Sequence, residues 1–187
     1  MMRHVCRSVM SKAAALLCVL LLSACSAPDV SLYAKNEPKF ELRPFFSGSL
    51  MAHGILKNRS GEVIRYFNAT LEGSWKEGVG TLAEVFTFDD GEIQYRTWTM
   101  TPNDKGEYTA TANDVVGVGE IKIAGNALFM KYILQVPYDD DLLEVKVDDR
   151  MYMVRDGVVM NESIMTKFGV EVGYLSIVIT KLNQADH

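Results

Sequence analysis

Glu84 and Arg96 are the pair in this sequence whose placement bears most on chemistry. They flank Asp89-Asp90-Gly91, a turn signal between two runs rich in Val, Thr, Tyr and Phe. A two-residue Asp90-Gly91 loop would pair Phe86 with Tyr95. A three-residue loop, with Gly91 in the left-handed conformation, would set Glu84 opposite Arg96 and Leu82 opposite Trp98. The two registers make opposite statements, because a slip of one residue exchanges the faces of a strand. The three-residue loop is favoured here. It gathers Glu84, Phe86, Phe88, Arg96 and Trp98 on one face. An inward Glu84–Arg96 pair is either a polar contact for a ligand or a buried structural pair that needs further hydrogen bonds. Trp75, Phe86, Trp98 and Tyr132 are candidates to line an apolar cavity around it; the alternative for a Trp is to plug one end of the core. Met151, Met153, Met160 and Met165 crowd one stretch, as adaptable lining or as core filler.

Glu84, Asp114 and Asp149 could also converge for acid–base work, and Asp149 is a candidate to pair with Arg150 or Lys167. Other catalytic signatures are missing from the sequence. Beyond the N-terminal leader the histidines are His53 and His187. No Gly-x-Ser-x-Gly elbow occurs, nor any metal-ligand spacing of Cys and His. Asp139-Asp140-Asp141 lacks the alternation of a Ca²⁺ loop and reads as a solvated turn. The expectation is a protein that is not an enzyme, with no cofactor and no metal.

These side chains must be held by strands. The chain has 187 residues, 48% apolar and 23% charged, which predicts one folded domain. The net charge of −5, with no basic stripe, argues against nucleic acid as a partner. Turn signals recur at Asn58–Gly61, Lys76–Gly78, Asp89–Gly91, Pro102–Gly106, Ala124–Asn126, Pro137–Asp141 and Arg155–Gly157. Between them lie strand-like runs, roughly 45–57, 62–74, 80–88, 92–100, 107–112, 115–123, 127–136, 142–154, 157–160 and 170–182. In 128–136 the even positions are apolar, while Lys131 and Gln135 fall on the other face. One short helix is expected over 161–168, between Asn161 as N-cap and Gly169 as stop. The predicted fold is all-β: a single antiparallel, lipocalin-like barrel of about 8–10 strands spanning 40–187, with at most one short helix.

The first 24 residues have another purpose. Arg3, Arg7 and Lys12 precede ten apolar residues, 13–22, then Ser23-Ala24-Cys25. That is the pattern of a secretory signal peptide, too short in its apolar run to span a bilayer. Leu22-Ser23-Ala24-Cys25 resembles the bacterial lipobox. The resemblance implies cleavage before Cys25, lipidation of its thiol and acylation of its amine, and several acyl chains anchor a protein stably. Ser26, where the sorting rule places Asp for inner-membrane retention, implies the outer membrane, periplasmic side. The membrane is then a partner through the anchor. Residues 25–39 are read as the lipidated Cys and a flexible tether. Loss of the signal removes Cys6 and Cys18 and leaves 16 basic against 24 acidic residues.

From about Phe45 onward the chain resembles the DUF3833 family of uncharacterised proteobacterial lipoproteins. The resemblance rests on Phe45-Phe46-Ser47-Gly48, Gly54-Ile55, Trp75, Glu84 to Gly91, Arg96-Thr97-Trp98, Asp114 to Gly117, Gly125-Asn126-Ala127, Asp148-Asp149 and Lys167-Phe168-Gly169. Arg150 and Glu162 depart from its pattern. The family implies no activity. The expected function is an outer-membrane lipoprotein that binds or shields an apolar ligand, lipid or fatty acyl, inside the barrel. The alternatives are a structural or assembly lipoprotein with a filled barrel and a protein partner, and an enzyme acting on lipid substrates.

Overall fold

The computed structural model describes residues 27–138 and 141–182. The segment read as a signal peptide, Cys25 and Asp139-Asp140 lie outside the described residues. Ten antiparallel strands run in chain order: β1 (Gly48–Asn58), β2 (Val63–Lys76), β3 (Val79–Phe88), β4 (Ile93–Pro102), β5 (Tyr108–Ala112), β6 (Val115–Ala124), β7 (Ala127–Tyr138), β8 (Asp141–Arg155), β9 (Val158–Lys167) and β10 (Val170–Lys181). Each pairs with its neighbours in sequence, and β1 pairs with β10 to close a barrel. Because β1 pairs with β10, neither terminal strand is left as a free edge of the sheet. The predicted all-β, lipocalin-like barrel is the observed fold.

Alternation builds the interior. Leu128, Met130, Tyr132 and Leu134 of β7 are buried in one core with Leu82, Trp98, Leu71 and Leu50 from the other strands. Burying each such side chain contributes roughly 1.5–3 kcal/mol. The β3–β4 hairpin settles the register. Gly91 has φ 87°, Phe88 N–H donates to Glu92 O at 3.0 Å, and Glu84 stands opposite Arg96 with Leu82 opposite Trp98. The three-residue loop is the one formed.

Residues 40–47 close one end. Leu42–Phe45 make a single helical turn, α1, and Phe40, Phe45 and Phe46 pack ring against ring, with centroids 4.9–6.2 Å apart. A helical turn leaves carbonyls without intrahelical partners. Here the Lys181 ammonium donates to Pro44 O at 2.9 Å, to Phe45 O at 3.1 Å and to Ser47 O. Phe46 O accepts from the Trp75 indole at 2.7 Å. Gly73 permits this approach: a Cβ there would lie 2.3 Å from Phe46 O.

Two expectations are corrected. Residues 161–168 form no helix; Val158–Lys167 is β9. Its inward positions, Val159, Asn161, Ser163 and Met165, are all buried but mix polar with apolar, which erased the period-two signal. The stretch read as a flexible tether is partly docked. Val30–Tyr33 form a 3₁₀ turn on the outer wall, where Val30 packs with Ala127, Phe129 and Tyr152. This covers Phe129, an outward residue that would otherwise face water.

Candidate functional site

The strands enclose a cavity of about 910 Å³. Its floor is Leu42 and Phe46 of the plug, and its walls carry Leu71, Leu82, Phe86, Trp98, Met130, Tyr132, Met151 and Met165. Its other end opens between the β1–β2, β3–β4, β5–β6, β7–β8 and β9–β10 turns. Arg65, Phe88, Glu92, Tyr95, Pro137, Leu142 and Val172 belong to this mouth.

A belt of polar side chains crosses the apolar walls at mid-height. Arg96 on β4 is held by Asp114, Nε at 2.9 Å and Nη2 at 2.7 Å. The tight β5–β6 turn makes this possible: Asn113 accepts from Thr97 N–H at 2.8 Å and donates to Tyr95 O at 3.1 Å, acting as a short extra strand beside β4. Glu84 on β3 stands farther off, 4.0 Å from Arg96 Nη1, with its side chain 10% exposed. Asp149 on β8 is buried and accepts from Asn161 Nδ2 and from Ser163 Oγ, the latter at 2.7 Å. Tyr132 packs edge-on against Trp98, centroids 5.2 Å apart.

Burial dominates the electrostatics. It pushes the Glu84 carboxyl up to about 7; the Arg96 charge opposes this and the Asp149 charge adds to it. Burial also raises Asp149, against its hydrogen bonds from Asn161 and Ser163. The Tyr132 hydroxyl is raised by burial, further by Asp149, and stays protonated. Burial alone would lower Arg96, but its hydrogen bonds to Asp114 and the nearby Glu84 and Asp114 carboxylates outweigh that and hold it charged.

Of the candidates from the sequence, Glu84, Phe86, Arg96, Trp98 and Tyr132 line the cavity. Trp75 does not. It takes the alternative role of a plug, stacked on Gly80 and edge-on to Tyr108 at 5.8 Å. Glu84, Asp114 and Asp149 do converge on one cavity. The partners suggested for Asp149 are corrected: Arg150 points outward and pairs with Asp148 at 2.7 Å, because adjacent strand residues face opposite sides. Asn161, expected as a helix N-cap, and Ser163, given no role while a helix was expected there, instead line the cavity from β9. Among the described residues, no group of three His, Cys, Asp or Glu side chains is placed to hold a metal ion.

An antiparallel barrel with one sealed end, one mouth and a lined interior is a lipocalin-like fold. The chain belongs to the family described as protein of unknown function DUF3833, which matches residues 19–181. The S-type phycobiliprotein lyase of Guillardia theta is similar in structure, with a TM-score of 0.50 at 10% identity, over 84% of this chain and 99% of that one. A protein of unknown function from the DUF3598 family of Nostoc punctiforme has a TM-score of 0.48 at 10% identity, over 79% of this chain and 51% of that one. No curated protein matches this sequence.

Proposed function

We propose that this protein is a lipid-anchored outer-membrane lipoprotein, facing the periplasm, that holds an apolar ligand of lipid or fatty-acyl type in its barrel. The carrying observation is the cavity: about 910 Å³, within the range of roughly 300–1,000 Å³ typical of ligand sites. Its walls are mostly aliphatic, aromatic and thioether. A filled barrel that only docks a protein loses support, because Phe86, Trp98 and Tyr132 line open space. A second reading, acid–base chemistry on a lipid substrate, is favoured by one observation: Glu84, at about 7, is poised for proton transfer near neutral pH.

The resemblance of Leu22-Ser23-Ala24-Cys25 to a lipobox supports the anchoring part of the reading. Val30 is docked beside the β6–β7 hairpin at the sealed end. The chain from Cys25 to Val30 reaches at most about 18 Å. A lipid on Cys25 would therefore hold the sealed end near the bilayer and turn the mouth away from it.

One experiment tests both parts. The native protein is purified, extracted with organic solvent, and extract and residue are analysed by mass spectrometry. The expected result is an apolar molecule in the extract and covalent acyl mass on the peptide that begins at Cys25. Cys25→Ser should remove the covalent mass. An empty extract would overturn the ligand reading; absence of acyl mass on Cys25 would overturn the anchor.

A further inference from the structure

The polar belt presents a charge pattern that a ligand's buried end has to match. Among the described residues lining the cavity, the cations are Lys57, Arg65 and Arg96. Lys57 lies near the end of β1, at the mouth. Arg65 is also a mouth residue, paired with Asp90 at 2.7 Å and Glu92 at 2.8 Å. At belt height Arg96 is the remaining cation, and its guanidinium fork is occupied by Asp114. Two more acids face the same space from β3 and β8, Glu84 and Asp149. Asp149 has its own donors in Asn161 and Ser163. Glu84 has a charge 4.0 Å away, beyond hydrogen-bond distance, and a side chain nine-tenths buried that borders the cavity.

An anionic head group would enter this belt against a surplus of acids and find no free cation. A neutral head would leave the Glu84 carboxylate with only the Arg96 charge, which Asp114 already shares. An ammonium would give Glu84 a charge-assisted partner while leaving the Arg96–Asp114 pair intact. We propose that the cavity takes an elongated apolar molecule whose buried end is a protonated amine, with Glu84 as its counter-ion. This rests on the reading of the barrel as an apolar-ligand site and names the class of that ligand.

The groups facing Glu84 set the pH dependence. They are Arg96 on β4, Asp114 in the β5–β6 turn, Tyr132 on β7 and Asp149 on β8. Arg96 stays charged and Tyr132 stays neutral near pH 7, while Glu84 ionises around 7 and Asp149 is raised by burial as well, so both carboxyls add negative charge to the belt as pH rises. An alkylammonium, with a pKa near about 10 like that of Lys, keeps its charge across this range. Its affinity should rise with pH as Glu84 ionises around 7, while that of a carboxylate should fall.

The test is calorimetric titration of the purified chain carrying Cys25→Ser, so that no anchor or detergent competes. The probes are dodecylamine, dodecanol and dodecanoate, at pH 6 and pH 8. Dodecylamine should bind at least about ten-fold more tightly than dodecanoate at pH 8, the size expected of one buried charge pair. That advantage should shrink at pH 6. In Glu84→Gln the amine should fall to the affinity of dodecanol. Dodecanoate or dodecanol binding as tightly as the amine would overturn the proposal while leaving an apolar site standing, and so would an unchanged amine preference in Glu84→Gln. If none of the three probes binds, the apolar-ligand reading falls with it. The ranking on the chain without the Glu84 change decides the matter even if that variant does not fold.

Discussion

The two ends of the barrel are made from the same strands by the same kind of turn, yet only one is sealed. At the sealed end, residues 40–47 fold under the strands and bury three Phe rings. Their carbonyls are taken by Lys181 and Trp75. At the mouth the equivalent space is left to side chains. Arg65 lies 3.7 Å over the Phe88 ring and pairs with Asp90 and Glu92, while Phe168 stands 94% exposed at the tip of the β9–β10 turn. Strands alone thus make a tube. A floor must be added by chain outside the tube, and an unfloored end remains an entrance.

The largest expected effect breaks the floor. Phe45 is 3% exposed, and Phe45→Ala should destabilise the protein by about 3–5 kcal/mol in urea denaturation. A loss below about 1 kcal/mol would mean that the plug is dispensable. Next comes the belt between the two ends. Arg96→Met should cost about 3 kcal/mol, by stranding Asp114 and Glu84. Combined with Asp114→Asn it should cost clearly less than the sum of the single changes. The same cycle with Glu84→Gln should show a smaller coupling, because Glu84 stands 4.0 Å away and Asp114 is in direct contact. A Glu84 coupling equal to that of Asp114 would contradict the observed pairing. The smallest effect is at the mouth. Phe168 has φ 51°, which Asn tolerates better than Phe. Phe168→Asn should therefore leave stability within about 0.5 kcal/mol of the parent, or raise it slightly. A large loss would show that the mouth is braced after all.

Much of this was legible in the sequence, for reasons specific to each element. The Asp89-Asp90-Gly91 turn announced a hairpin, but a glycine there suits the two-residue loop as well as the three-residue one. The register was legible only because the three-residue loop gathers Glu84, Phe86, Phe88, Arg96 and Trp98 on one face, which is the pairing formed. The alternation of 128–136 was readable because its inward residues are uniformly apolar. β9 was not readable, since its inward positions include Asn161 and Ser163, which serve Asp149 and not a greasy core. Asp114 was visible as an acid but not as the partner of Arg96; that contact depends on Asn113 bending the β5–β6 turn over β4, a tertiary event without local signature. The docking of Val30 was hidden for a similar reason: its receiving surface, Ala127, Phe129 and Tyr152, is assembled from two strands.

The pairing of β1 with β10 has a kinetic consequence. Every other strand pair is a hairpin joined by a short turn, and such local contacts form quickly. Leu50, by contrast, sits opposite Lys181, about 130 residues along the chain, and the loop-closure cost of such a contact must be met before it gives any return. A chain emerging N-terminus first holds the bare edge of β1 until its last strand arrives. Lys181, at the end of that strand, is also the residue that grips the carbonyls of Pro44 and Phe45. Closing the wall and gripping the floor's carbonyls therefore depend on the same strand.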